Sequence, residues 1–233
     1  MKRIVLTLCI CFLGSQLIAQ GNTKVALLEG KNITTEYVDF THLNNLVIAL
    51  KRKEEQFKSS KKYAKYVFKH IQSNYLRDFQ EYTLTENIFT NGVYNCVSAT
   101  WLYAYIYEQL GFKTQIYEME NHVYLKLHLE KEILVESTMA LEGFITNTRE
   151  INNQQKVYKE RQDSNFMKEI YLHQLTGLQF YNQAVKAYNQ QAYAQAYEWL
   201  QQATQYYPCS RVEALITLTQ FNLQESETRI ASR

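Results

Sequence analysis

Three residues of this 233-residue chain have the types and the order that thiol chemistry needs. Cys96 heads the apolar run 97–110, His122 follows 26 residues later at the start of an alternating stretch, and Glu136 comes 14 residues after that. A nucleophilic thiol requires a thiolate, a proton acceptor beside it and a group that orients the acceptor. Its place in "VYNCVSATWLYAYIYEQLGF" adds an electrostatic reason. Cys96 falls in the first turn of a predicted helix, where unpaired N–H groups and the positive end of the dipole stabilise a negative sulfur. Such positions lower a thiol pKa from its usual ~8.5 by about one to several units.

Other uses of the same residues compete. A lone cysteine on an apolar helix is more often core filler, because free cysteine is among the most buried residue types. The histidine and carboxylate that follow shift the balance toward a catalytic site. A Cys96–Cys209 disulfide is a further alternative, which an oxidising compartment permits; against it, Cys209 lies just past Pro208 at a repeat boundary. His128 shares a strand face with His122, but two histidines on one strand without a nearby cysteine or carboxylate make a poor zinc site. No metal or cofactor is implied.

The elements that must position these residues are legible around them. Asn95 is a good N-cap for the helix, and Gly111 sits where a C-terminal cap belongs. A helix apolar on nearly all sides is a buried central helix. Three strands follow, over 113–118, 122–129 and 132–137, the second alternating in the manner of a half-buried strand. Upstream, periodicity predicts helices over 41–53 and 60–79, a short strand around 34–40, and a loop over 81–94 containing Asn91-Gly92. Residues 143–164 are polar, rich in Asn, Gln and Lys and without sustained periodicity, which predicts a linker or surface excursion. Beyond them the chain reads as helical to its end. The expected class is α+β.

"NCVSATWLYAYIYEQLGF", then "ENHVYLKL", then "EILVEST" resembles the bacterial transglutaminase-like superfamily, whose members share a papain-like core. The resemblance covers about residues 60–139. It implies a central helix packed on a small antiparallel sheet, with Cys96 as nucleophile, His122 as general base and Glu136 in the place usually held by an orienting Asp. Papain-like enzymes commonly draw an oxyanion donor from a Gln before the Cys; here the nearest upstream Gln is Gln80, so Asn91 or the backbone N–H of Cys96 is the candidate. Ala184, Tyr188, Tyr193, Ala196, Leu200, Ala203 and Pro208 resemble the skeleton of one tetratricopeptide repeat over 177–208, with an interhelical turn one residue short and a third helix over 211–223.

The division that results is a signal peptide over 1–19, a transglutaminase-like domain over 21–145, a linker over 146–164 and a helical repeat-like unit over 165–233. Lys2 and Arg3, the apolar run 4–13 and the small and polar exit ending at Ala19 have the form of a secretory leader. The expected location is therefore periplasmic or extracellular. Removing Lys2 and Arg3 takes 25 basic residues to 23, against 23 acidic, so nothing points to nucleic acid. The apolar run is about half of the ~20 residues a membrane span needs. Two functions remain. One is acyl transfer or amide hydrolysis on a protein or peptide through a Cys-His-Glu triad. The other is a protein-binding role for the C-terminal helices on a fold that has lost turnover.

Overall fold

In the computed structural model the described residues are 26–27, 36–37, 41–160 and 166–231; the expected leader lies outside them. Two short strands, β1 (Ala26–Leu27) and β2 (Glu36–Tyr37), pair antiparallel, β2 falling inside the stretch expected as a strand. The remainder, from Phe40 onward, is a second unit with its own core.

In that unit α1 (Thr41–Lys51) and α2 (Ser60–Asn74) supply apolar faces. Helix α2 ends before the expected residue 79. Asn74 turns its amide back onto the His70 carbonyl at 2.7 Å, Arg77 N–H bonds the Gly92 carbonyl, and Leu76 drops into the core. Phe79 instead lies in β3 (Asp78–Phe79), parallel to β4 (Val93–Tyr94), and the expected loop between them holds a short helix, α3 (Glu86–Thr90).

Helix α4 (Cys96–Gln109) runs through the centre, and ten of its residues are buried. Two of its tyrosines pack their rings while satisfying their hydroxyls: Tyr103 donates to the Phe68 carbonyl and to Gln72 of α2, and Tyr107 to the Ala64 carbonyl. Trp101 donates to Thr176 at 3.1 Å. Each bond removes the penalty of burying a polar atom. The helix stops at Gly111, whose φ of +81° is open to glycine without strain.

The sheet has the order β8-β7-β6-β5-β9, antiparallel throughout: β5 (Lys113–Met119), β6 (Val123–His128), β7 (Glu132–Val135), β8 (Phe144–Ile145) and β9 (Met167–Ile170). Register sorts its two faces. Ile116, Leu125, Val135 and Phe144 lie across from one another and join the core around α4. Tyr117 and Tyr124, then Leu134 and Ile145, form the other face, covered by Ile151 and Tyr158 of helix α5 (Thr148–Glu160). Strand β6 is thus buried on both faces, where its alternation predicts one.

Helix α5 corrects the linker expected over 146–164. Asn147 caps it, accepting from Arg149 N–H at 2.9 Å, and only two of its thirteen residues are buried, which is why the segment reads as polar. The chain then returns to the sheet as β9, inside the stretch expected to be wholly helical. Three helices complete the unit: α6 (Leu172–Asn189), α7 (Tyr193–Tyr206) and α8 (Ser210–Ala231). Ala184, Ala196, Leu200 and Ala203, the small and apolar positions of the repeat-like pattern, are fully buried among them. Gln191 turns the chain between α6 and α7 with φ +61°. No helix among the described residues is long and apolar enough to cross a membrane.

Candidate active site

The candidate site lies where the start of α4 meets the β5–β6 turn and the end of β7. Asn95 fixes the first of these. Its side chain accepts from Ser98 N–H at 2.8 Å, Ser98 Oγ accepts from Asn95 N–H at 2.9 Å, and Asn95 Nδ2 donates to the Glu81 carbonyl at 2.8 Å. This reciprocal capping box also ties loop 81–83 to the residue before Cys96. Cys96 is therefore the first residue of a rigid helix. Its own N–H and that of Val97 have no acceptor within the helix. Asn95→Ala is expected to cost about 1–2 kcal/mol of stability, read as a lower urea midpoint at unchanged slope.

His122 sits in the β5–β6 turn, closed by Met119 N–H on the His122 carbonyl at 2.8 Å. Its Nε2 is 2.7 Å from Glu136 Oε2, which leaves Nδ1 as the nitrogen free to face Cys96, a neighbour close enough to act on the titration of the ring. Burial alone would lower the histidine pKa. Hydrogen bonding with Cys96 and with Glu136, and the attraction of the carboxylate, outweigh it and raise the value from 6.5 to about 10. The imidazolium is the form this setting favours.

Glu136 is 1 % exposed, directly after β7, and follows Leu134 onto the α5 face of the sheet. Burial pushes its pKa up; the His122 hydrogen bond and charge, then Tyr158 and Thr138, bring it below the ordinary 4.5. Thr138 donates to Oε1 through N–H at 3.0 Å and through Oγ1 at 2.7 Å, and the Tyr158 hydroxyl donates to Oε2. Gly143 lets β8 approach closely enough for Glu136 N–H to bond its carbonyl at 2.8 Å; a Cβ at Gly143 would lie 2.0 Å from the Glu136 carbonyl oxygen.

Cys96 and His122 open into a cleft of about 1090 Å³, walled by Phe79 and Tyr82, Phe166 and Lys168, the Tyr181 face of α6 and the α7–α8 junction. A smaller pocket of about 640 Å³, lined by Met139, Gln154 and Tyr158 among others, lies on the Glu136 side, so His122 borders both. A second buried carboxylate braces the cleft. Glu118 accepts from the Tyr207 hydroxyl, and Arg211 Nη2 lies 2.9 Å from its other oxygen, an ion pair without hydrogen-bond alignment. The Arg211 guanidinium also lies over the Phe166 and Tyr181 rings, at 5.8 Å from each.

The structure thus brings Cys96, His122 and Glu136 together and leaves Asn91 apart. Asn91 is exposed at the end of α3, its side-chain oxygen taken by Val93 N–H at 3.0 Å, and it is not among the cleft-lining residues. Cys96 and Cys209 are both free thiols that line the same cleft. His128, at the other end of β6 from His122, bonds Gln115 at 2.9 Å, and no cluster of three metal-ligating side chains occurs among the described residues. Tyr158, Thr138, Glu118 and Arg211 were not expected from the sequence. The one available signal for Tyr158 was Asn147 followed by Glu150, a helix-start pattern before Ile151.

No protein-family model matches the chain, and none of the curated proteins or solved structures compared with it does either.

Proposed function

We propose that this chain is an exported, transglutaminase-like thiol enzyme that transfers or hydrolyses acyl groups of protein or peptide amides. The observation that carries the reading is His122 held at 2.7 Å by a buried Glu136 and sharing one large cleft with Cys96, whose side chain acts on its titration. A central helix with its N-terminal cysteine packed on an antiparallel sheet supports the papain-like core.

The chemistry follows from the geometry. With the imidazolium favoured, His122 already holds the proton that Cys96 gives up, and the thiolate sulfur attacks the carbonyl carbon of the amide. The tetrahedral oxyanion finds the Cys96 N–H, which α4 leaves without a partner. As the C–N bond breaks, His122 returns the proton to the departing amine and a thioester remains. Water, the default second substrate, then gives a proton to His122 and attacks the thioester. The carboxylic acid leaves and the thiol is restored; an amine in place of water gives transamidation. Glu136 holds the imidazole with Nδ1 toward the sulfur and balances its charge throughout.

A non-catalytic binding role draws on one observation, that much of the cleft wall comes from α6 and the α7–α8 junction. Iodoacetamide separates the two readings. In a Cys209→Ser chain lacking residues 1–19, Cys96 is the sole thiol. The expected alkylation rate falls only a few-fold between pH 8 and pH 6, where a free thiol loses roughly tenfold per unit. A free-thiol profile for Cys96 would overturn the enzymatic reading in favour of binding.

A further inference from the structure

Glutamate in the orienting position carries one more methylene, and one more rotatable bond, than aspartate. A carboxylate at the end of such a chain needs anchoring if Oε2 is to stay 2.7 Å from the His122 Nε2. Thr138, two residues along, anchors Oε1 from within the same turn. The anchor on Oε2 comes from elsewhere. Tyr158 reaches it from α5, across 22 residues of chain, with its ring centroid 5.0 Å from that of His122.

Helix α5 is otherwise a polar element. Its buried residues are Ile151 and Tyr158, which pack on the same cluster of the sheet as Tyr124 and Leu134. Docking of α5 therefore delivers a phenol donor to the one oxygen that the imidazole also uses, and sets its ring beside the imidazole at a tilt of 44°. A carboxylate accepting two donors at one oxygen holds its negative charge against protonation more firmly than one accepting a single donor. Without that second donor, a buried carboxyl recovers a proton more readily, becomes neutral and loses its hold on the imidazolium.

We infer that Tyr158 is a positioning residue of the site, a fourth member that fixes Oε2 of Glu136 and keeps the carboxylate ionised beside His122. The inference rests on the triad reading above, but its consequence for Glu136 and His122 does not require the thiol to react.

Its test uses the Cys96→Ser chain, so that no sulfur chemistry enters, and follows the His122 side-chain nitrogens by NMR as pH falls. The inflection that reports protonation of Glu136 is expected to move up by about one pH unit in Tyr158→Phe, since a hydrogen bond to a charged group is worth about that much. Placing 3,5-difluorotyrosine at position 158, a stronger donor of nearly the same shape, is expected to move it down. Opposite shifts from two conservative replacements are not what a merely structural side chain produces. Inflections that coincide in all three proteins, with only the melting temperature changed, would overturn the inference. Should Tyr158→Phe not fold, the fluorinated chain decides alone: a downward shift supports the role and no shift overturns it. Slow alkylation of Cys96 in the experiment above would instead sink the enzymatic reading and leave this inflection where it is.

Discussion

Replacing His122 by alanine is expected to bring the alkylation rate of Cys96 at pH 6 down to that of an unactivated thiol, and to lower any amidase activity by about 10²–10⁴-fold. The ring is the only imidazole in contact with the sulfur among the described residues, and it is the link through which Glu136 acts. The same variant is expected to lose stability by about 3 kcal/mol, because it strands a buried carboxylate that had a charged partner. The sign of the pH dependence follows from the two shifts. His122 has a raised folded-state pKa, so its contribution is full below 6.5 and fades as pH rises through about 10. Glu136 is held below its ordinary 4.5, so its contribution is present above that value and lost as pH falls. The gap in melting temperature between the two proteins is therefore widest from about pH 4.5 to 6.5 and narrows toward pH 10. A gap independent of pH would mean that the histidine only packs.

The second large effect is expected at a residue with no side chain. In Gly143→Ala the new methyl carbon would sit 2.0 Å from the Glu136 carbonyl oxygen and 3.2 Å from the Phe68 ring. Neither neighbour is free to yield, since the first is backbone and the second is buried in the core. The β7–β8 pairing must open, and with it the bond from Glu136 N–H to the Gly143 carbonyl at 2.8 Å. Loss of several kcal/mol is expected, of the order of overpacking in a core, about 1–3 kcal/mol, with a broken strand pair added. Because the displaced residue is Glu136, alkylation at pH 6 is expected to slow as well. Retained reactivity at lowered stability would show that the carboxylate has slack.

How far the site was legible in the sequence depended on where the hydrophobic pattern was strong. Helix α4 could be bounded to within a residue because Asn95 and Gly111 bracket an almost unbroken apolar run. The order of Cys96, His122 and Glu136 was readable because each stands at the edge of a patterned element. Tyr158 was not, for a physical reason. A helix that covers one corner of a sheet needs few buried residues, and α5 uses two, seven positions apart, among Asn, Gln and Lys. The same omission makes β6 look half-exposed, since the element covering its second face reads as a linker. The early end of α2 depends on Asn74 reaching back to its own helix and on Arg77 meeting the Gly92 carbonyl, a long-range contact that no local window contains. Asn91 was attractive as an oxyanion donor only through its nearness in sequence; its side chain is spent on Val93 N–H.

The cleft takes its walls from residues as far apart as Phe79 and Arg211, and the Oε2 anchor comes from Tyr158 on the way between them. The α7–α8 junction contributes wall to the cleft without touching His122 or Glu136. The shape of the cleft is thus separable from the arrangement of thiol, imidazole and carboxylate: a change in α8 alters what the cleft admits and leaves the His122–Glu136 contact as it is.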